Sequence, residues 1–224
     1  KLVGDLNTDK MDGEAKKKAF AKFAVDDVAG VWKKLLSVDK NKEGKQKGKK
    51  LVGDMDAEDA VSCIECVLLF GLKGRLAARC SFWSFIVDIS KCRTDSKFFQ
   101  VDVNFVKSLY FEDDRLNQKR GRAWIRQCLN AGRLDKAMGI ISTTPKVLAR
   151  WVRPYSVFAS PVDTTRLIAI LKACSSDVRF EVQMHHHTRY TWKMVDGFPT
   201  RVYRKPRPPP APRNEKPVSV VVGR

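Results

Sequence analysis

The chain has 224 residues, 43% of them hydrophobic, and 43 basic against 25 acidic side chains give it a formal net charge of +18. That length accommodates one domain with flanks and a sizeable core. The longest apolar runs, such as Val67-Leu68-Leu69-Phe70, fall far short of the ~20 residues that cross a bilayer, and a chain that opens on Lys1 reads as an excerpt of a longer protein, for which the lack of a signal-like segment says little.

The basic excess is evenly spread. Residues 1–50 hold 14 basic and 8 acidic groups, residues 51–180 hold 20 and 14, and residues 181–224 hold 9 and 3, so each section is net +6. Such a surplus suits an acidic partner (anionic lipid, nucleic acid or an acidic protein face) and equally serves solubility. Six cysteines, at 63, 66, 80, 92, 128 and 174, are scattered through helix-like sequence. They fit small buried side chains in a reducing compartment.

Residues 1–15 are polar and glycine-punctuated, and the reading leaves them unstructured. From Ala15 a helical period begins, with Phe20, Ala24, Val28, Val31 and Leu35 at spacings of three and four. Within a loop set at 39–55, the stretch Lys40–Lys50 is lysine-rich and has nothing apolar to bury. The string KLVGD occurs at Lys1–Asp5 and again at Lys50–Asp54, too short to define a repeat.

A helix is predicted over Ala57–Leu72, with Asp56 and Asp59 as a capping box and Gly71 or Gly74 as its end. Ser81–Ile89 is apolar on nearly all sides and should be buried. Val101, Val103 and Phe105 alternate as a strand would, which pattern alone leaves open. Further helices are expected over Leu116–Leu129 with Gly132 after it, over Arg133–Ile141, from Thr144-Pro145, and from Ser160-Pro161 with Leu167, Ile170, Leu171 and Cys174 inward. Beyond Val182 the pattern dissolves into the proline-rich Tyr203–Arg213, an extended, solvated composition.

The strongest local constellation is Lys119-Arg120-Gly121-Arg122-Ala123-Trp124-Ile125-Arg126. On a helix Lys119, Arg122 and Arg126 share one face, which can meet carboxylates or phosphates of a partner. It can also be a solvated face paired with Glu112, Asp113 and Asp114, or hold helices together by bonding to carboxylates or helix ends, the role preferred for Arg122. Cys63 and Cys66 lie within one helix without a second ligand pair, so packing is preferred to zinc or redox chemistry. His185-His186-His187 could bind a metal or sense acid, but adjacent histidines in irregular sequence are read as incidental. The PxxP strings at Pro206–Pro212 lack a basic residue in the usual register, which leaves a polyproline-binding partner as a minor expectation. No nucleophile–base pair or phosphate-binding glycine loop is evident; no enzyme, metal or cofactor is expected. Nucleic-acid motifs are likewise missing.

Phe82-Trp83-Ser84-Phe85-Ile86, followed by Gly121-Arg122-Ala123-Trp124-Ile125-Arg126-Gln127-Cys128-Leu129-Asn130 and Arg133-Leu134, resembles the RUN domain family. Cys63–Lys73 is similar to that family's helix ending in an HGLK-like string, with Phe70 in the histidine's place. The resemblance covers roughly residues 16–182. It implies an all-α, single globular multi-helix domain, here with a disordered basic tail or linker at 183–224. It also implies a non-enzymatic adaptor or effector that binds a small GTPase of the Rab, Rap or Arf-like groups, or a motor or trafficking partner, peripherally on endomembranes. The motif arginines map to Arg122 and Arg126, with Lys119 and Arg120 as local additions, and these four are the candidate partner-binding residues. The alternative is a basic module for a phosphoinositide or anionic-lipid surface.

Overall fold

The computed structural model describes residues 13–37, 50–74, 81–111, 117–184, 190–196 and 198–203. The long first helix, α1 (Gly13–Ser37), buries Phe20, Ala24, Val28 and Leu35 of the predicted stripe, with Trp32 also buried and the predicted Val31 only half-buried. It packs against α2 (Asp54–Leu69) and α8 (Pro161–Asp177), so the helices nearest the ends of the described chain close the bundle. α2 begins earlier than the sequence suggests: Gly53 occupies the cap position without a side-chain bond, and Asp56 lies inside the first turn. The capping box at Asp56 is therefore a correction. The start is instead tied by the Ala57 N–H to the Gly53 carbonyl, and by Asp54 accepting from the Gln183 N–H at 2.7 Å.

After α2 the chain turns at Gly71, whose φ of +80° lies in the left-handed region. A Cβ there would stand 2.6 Å from Ser156 Cβ, so both conformation and space require glycine. Helices α3 (Trp83–Cys92), α4 (Lys97–Ser108), α5 (Gln118–Asn130), α6 (Leu134–Ser142) and α7 (Pro145–Trp151) follow. The ambiguous alternating segment is helical: Phe99, Asp102, Val103 and Val106 bury one face of α4 at helical spacing. Gly132 ends α5 as expected, donating to the Leu129 carbonyl. α8 starts as its sequence predicts, with Ser160 Oγ accepting from the Asp163 N–H and Pro161 in the first turn. Thr144 behaves otherwise, its hydroxyl donating back to the Ile140 carbonyl of α6 at 2.7 Å.

Short strands complete the fold. β1 (Lys50–Val52) pairs in parallel with β2 (Val178–Phe180), and β3 (Tyr190–Val195) pairs antiparallel with β4 (Phe198–Tyr203). The hairpin overturns the expectation that an unfolded tail starts at residue 183. Tyr190 and Trp192 are buried, and Phe198 packs on Phe20 and Phe70 at ring distances of 5.0 and 6.1 Å. The all-α reading holds for the body of the domain, and the described fold includes the hairpin through Tyr203. The lysine-rich stretch 40–49, the first KLVGD copy and the proline-rich segment lie outside the described residues.

Candidate functional site

The motif helix α5 lies at the centre of the bundle, and its residues Gly121–Arg126 are all buried. A Cβ on Gly121 would come within 2.9 Å of the Phe82 ring, so the glycine of one motif string is the space the phenylalanine of the other fills. Trp124 meets Phe99 edge-on at 5.7 Å. The sequence motif is thus a packing motif, and this decides where its arginines go.

Arg122 and Arg126 are 4% and 3% exposed. Arg122 Nε donates to Glu65 Oε1 at 2.8 Å, and Arg126 Nη1 donates to the Met184 carbonyl at 3.2 Å. The expected face shared by Lys119, Arg122 and Arg126 is therefore not a surface stripe. Its two arginines bind α2 and the segment after β2, leaving neither open to a partner. Burial lowers the pKa of Arg126, with Glu65 and Tyr190 opposing that shift.

Glu65, itself buried, collects more donors than Arg122. Its Oε2 accepts from Tyr190 Oη at 2.8 Å and Trp192 Nε1 at 3.0 Å, while the Arg122 guanidinium stands 5.1 Å over the Tyr190 ring. One carboxylate on α2 therefore joins α5 to the hairpin. Burial first, and then the Glu65 charge, push the Tyr190 hydroxyl well above its ordinary pKa. A second buried carboxylate, Asp102 on α4, accepts from Gln127 of α5 at 3.0 Å and from Arg133 at 2.6 Å. Asn130 adds a two-way bond to the backbone of Val182, at 2.8 and 2.9 Å.

Lys119 and Arg120 sit half-buried at the start of α5, and the Arg120 guanidinium lies 5.7 Å over the Phe111 ring. Next to Phe111, Tyr110 is 81% exposed; on the outer side of α4, Val101 and Phe105 are 59% and 41% exposed. Lys97, Val101, Phe105 and Ser108 follow one another at spacings of four, four and three, and so share a helix face. This outward apolar face, with Lys97 at its start, is the surface feature the sequence reading missed. Its signal was present in Val101 and Phe105 once the segment is read as a helix.

A sequence model of the RUN domain matches residues 61–186, more than half of the chain. The chain belongs to the RUN domain family. No curated protein sequence matches it. RUN domains are in general associated with adaptors and effectors that interact with small GTPases. The matched span of this RUN domain ends before the hairpin that supplies two of Glu65's donors.

Two further parts of the RUN domain bear on the sequence reading. Phe70, in the place of the resemblance's histidine, packs on Phe20 at 4.7 Å and on Tyr155 at 5.5 Å, an aromatic joint between α1, α2 and the loop after α7. Cys63 and Cys66 are buried, Cys63 Sγ donates to Asp27 Oδ2 at 2.9 Å, and burial raises both thiol pKa values, which suppresses the reactive thiolate. Among the described residues no group of histidine, cysteine, aspartate and glutamate is arranged to hold a metal. Likewise, no helix is long and apolar enough to cross a membrane. His185–His187 and Cys80 lie outside the described residues.

Proposed function

We propose that this RUN domain is a non-catalytic adaptor or effector module that binds a GTP-loaded small GTPase of the Rab, Rap or Arf-like type through the outer face of α4. The observation that carries the reading is the Val101–Phe105–Tyr110 face, which the domain's own packing leaves outward in a family associated with GTPase partners. An apolar strip with aromatic members is the usual anchor of a protein interface, while cations at the rim set partner choice and encounter rate. Here Lys97 stands at the start of the strip, and Arg120, which follows Lys119, lies over the ring of Phe111, next in sequence to Tyr110. Of the four basic residues read from sequence, Lys119 and Arg120 keep a partner-binding role in the proposal. In this reading the protein works in the cytoplasm, held peripherally on endomembranes by its partner, in traffic or signalling.

The test is a pull-down of the full chain against a panel of Rab, Rap and Arf-like proteins in GTP- and GDP-loaded forms. At least one is expected to bind in its GTP form and to be lost with Phe105→Asp, with the helical circular-dichroism signal unchanged. A folded wild-type chain that captures none of the panel would overturn the reading.

A further inference from the structure

A second surface feature lies between α3 and α7, and the α4 face has no residue in it. There an open cleft of about 350 Å³ is lined by Asp88, Lys91, Cys92, Lys146, Val147 and Arg150. Lys146 and Arg150 are one turn apart on α7 and so project from the same side. Lys91 comes from the last turn of α3. The lining thus brings together three cations and one carboxylate.

That carboxylate is largely occupied. Asp88 Oδ2 accepts from Trp151 Nε1 at 2.9 Å, a bond that fixes the end of α7 against α3. The two cations beside Asp88 are held more loosely, Lys91 Nζ at 3.5 Å from Oδ1 and Arg150 Nη1 at 3.5 Å from Oδ2. An ammonium has three donors and a guanidinium five, so one long contact leaves most of that capacity for another acceptor. Arg150 also lies 4.8 Å over the Trp151 ring, which restricts its fork at little entropic cost to later binding. Lys146 has no carboxylate within ion-pair distance among the described residues.

We propose that this cleft binds a polyphosphorylated headgroup, such as a multiply phosphorylated inositol ring. Its volume stands near the lower end of small-ligand sites, roughly 300–1,000 Å³, which suits a headgroup better than a polymer. Cations converging from two helices match phosphates at separate ring positions; a single phosphate would engage one helix and leave the other unused. The same headgroup chemistry is found on a bilayer and free in solution, and the net charge of +18 favours approach to an anionic bilayer.

The experiment uses the full chain and two variants of equal net charge. Lys91→Glu with Lys146→Glu alters the cleft; Lys33→Glu with Lys172→Glu alters exposed positions on α1 and α8. Each is measured against neutral vesicles, phosphatidylserine vesicles, phosphatidylinositol bisphosphate vesicles of matched charge, and soluble inositol trisphosphate by calorimetry. Labelling of Cys92, exposed at the edge of the cleft, is followed in a Cys80→Ser background as a local reporter. The inference expects binding of the phosphorylated headgroup, slower Cys92 labelling in its presence, and about tenfold or greater weakening in the cleft variant alone. Binding to the bisphosphate vesicles identifies the lipid as source; binding to the soluble compound alone identifies the free headgroup. Binding that follows vesicle charge only and falls equally in both variants overturns the proposal, as does no binding at all. Neither outcome depends on the GTPase panel.

Discussion

Arg122 and Arg150 both ion-pair with a carboxylate of a neighbouring helix, yet their side chains are 5% and 70% exposed. The buried pair has a separation of 2.8 Å and the exposed one 3.5 Å. Inside, the guanidinium has given up its water, so its charge is tolerable only because Glu65 answers it, and Glu65 in turn needs Tyr190 and Trp192. Outside, water already satisfies the arginine, and its carboxylate contributes little to stability. Basic residues in this domain therefore divide by burial into those that specify the fold and those open to a ligand. Residue type and helical spacing alone do not make that division.

The strongest way to break the contrast is to remove the hairpin. A chain ending at residue 186, where the family match stops, loses the burial of Tyr190 and Trp192, the cover that Phe198 gives Phe20, and two of Glu65's donors. Two large aromatic side chains and two bonds to a charged group together are worth about 5 kcal/mol or more. Urea denaturation should show a loss of at least that size, or no soluble protein. A truncated chain as stable as the full one would mean that the hairpin is an ornament.

Next in size is Glu65→Gln. It leaves Arg122 buried without a counter-charge and should cost about 3–5 kcal/mol, read from the urea midpoint at constant slope. The double variant Glu65→Gln with Arg122→Met should recover much of that loss, because it removes the unanswered buried charge while the amide oxygen at position 65 still accepts from Tyr190 and Trp192. If the double variant is as unstable as the single one, charge compensation is not what the pair supplies.

Much of this was legible beforehand. The stripe of α1, the end of α5 at Gly132 and the start of α8 at Ser160-Pro161 follow from spacing and caps, which are local physics. That Arg122 holds helices together through a carboxylate was also legible; which carboxylate was not, because Glu65 stands 57 positions away and helical periodicity says nothing of what faces a helix. Glu65 left a trace, a lone carboxylate in the apolar run Cys63–Phe70. So did the hairpin, in Tyr190 and Trp192 on alternate positions before Asp196-Gly197. That turn signal was obscured by the neighbouring histidines and prolines. For the α4 face, the alternation of Val101, Val103 and Phe105 mixed one inward residue with two outward ones, and only the helix separates them.

A smaller effect comes from pH. Tyr190 and the thiols of Cys63, Cys66 and Cys128 all have folded pKa values raised, chiefly by burial, above ordinary values of 10.0 and 9.0. A group that holds its proton more tightly when folded gives stability that is complete below the unfolded pKa and is lost as pH rises past it. The melting temperature should therefore be flat near neutrality and fall from about pH 9 upward. Tyr190→Phe should lower the plateau by about 2 kcal/mol, the worth of a bond to a charged acceptor, and weaken the decline above pH 10. A decline of unchanged steepness in that variant would assign the effect to the thiols alone.

The smallest expected effect belongs to the outer arginine. Arg150→Gln removes a long ion pair whose members are 70% and 22% exposed and a cation over the Trp151 ring. It leaves the Trp151–Asp88 hydrogen bond in place. Exposed pairs are worth about 0–1 kcal/mol and fade with salt. The variant should lie within about 0.5 kcal/mol of the parent in urea, and closer still at high salt. In the same assay Arg122→Gln should cost several times more and respond little to salt, because its pair is shielded from ions. If the two substitutions cost the same, burial is not what separates the fold-forming cations from those that await a ligand.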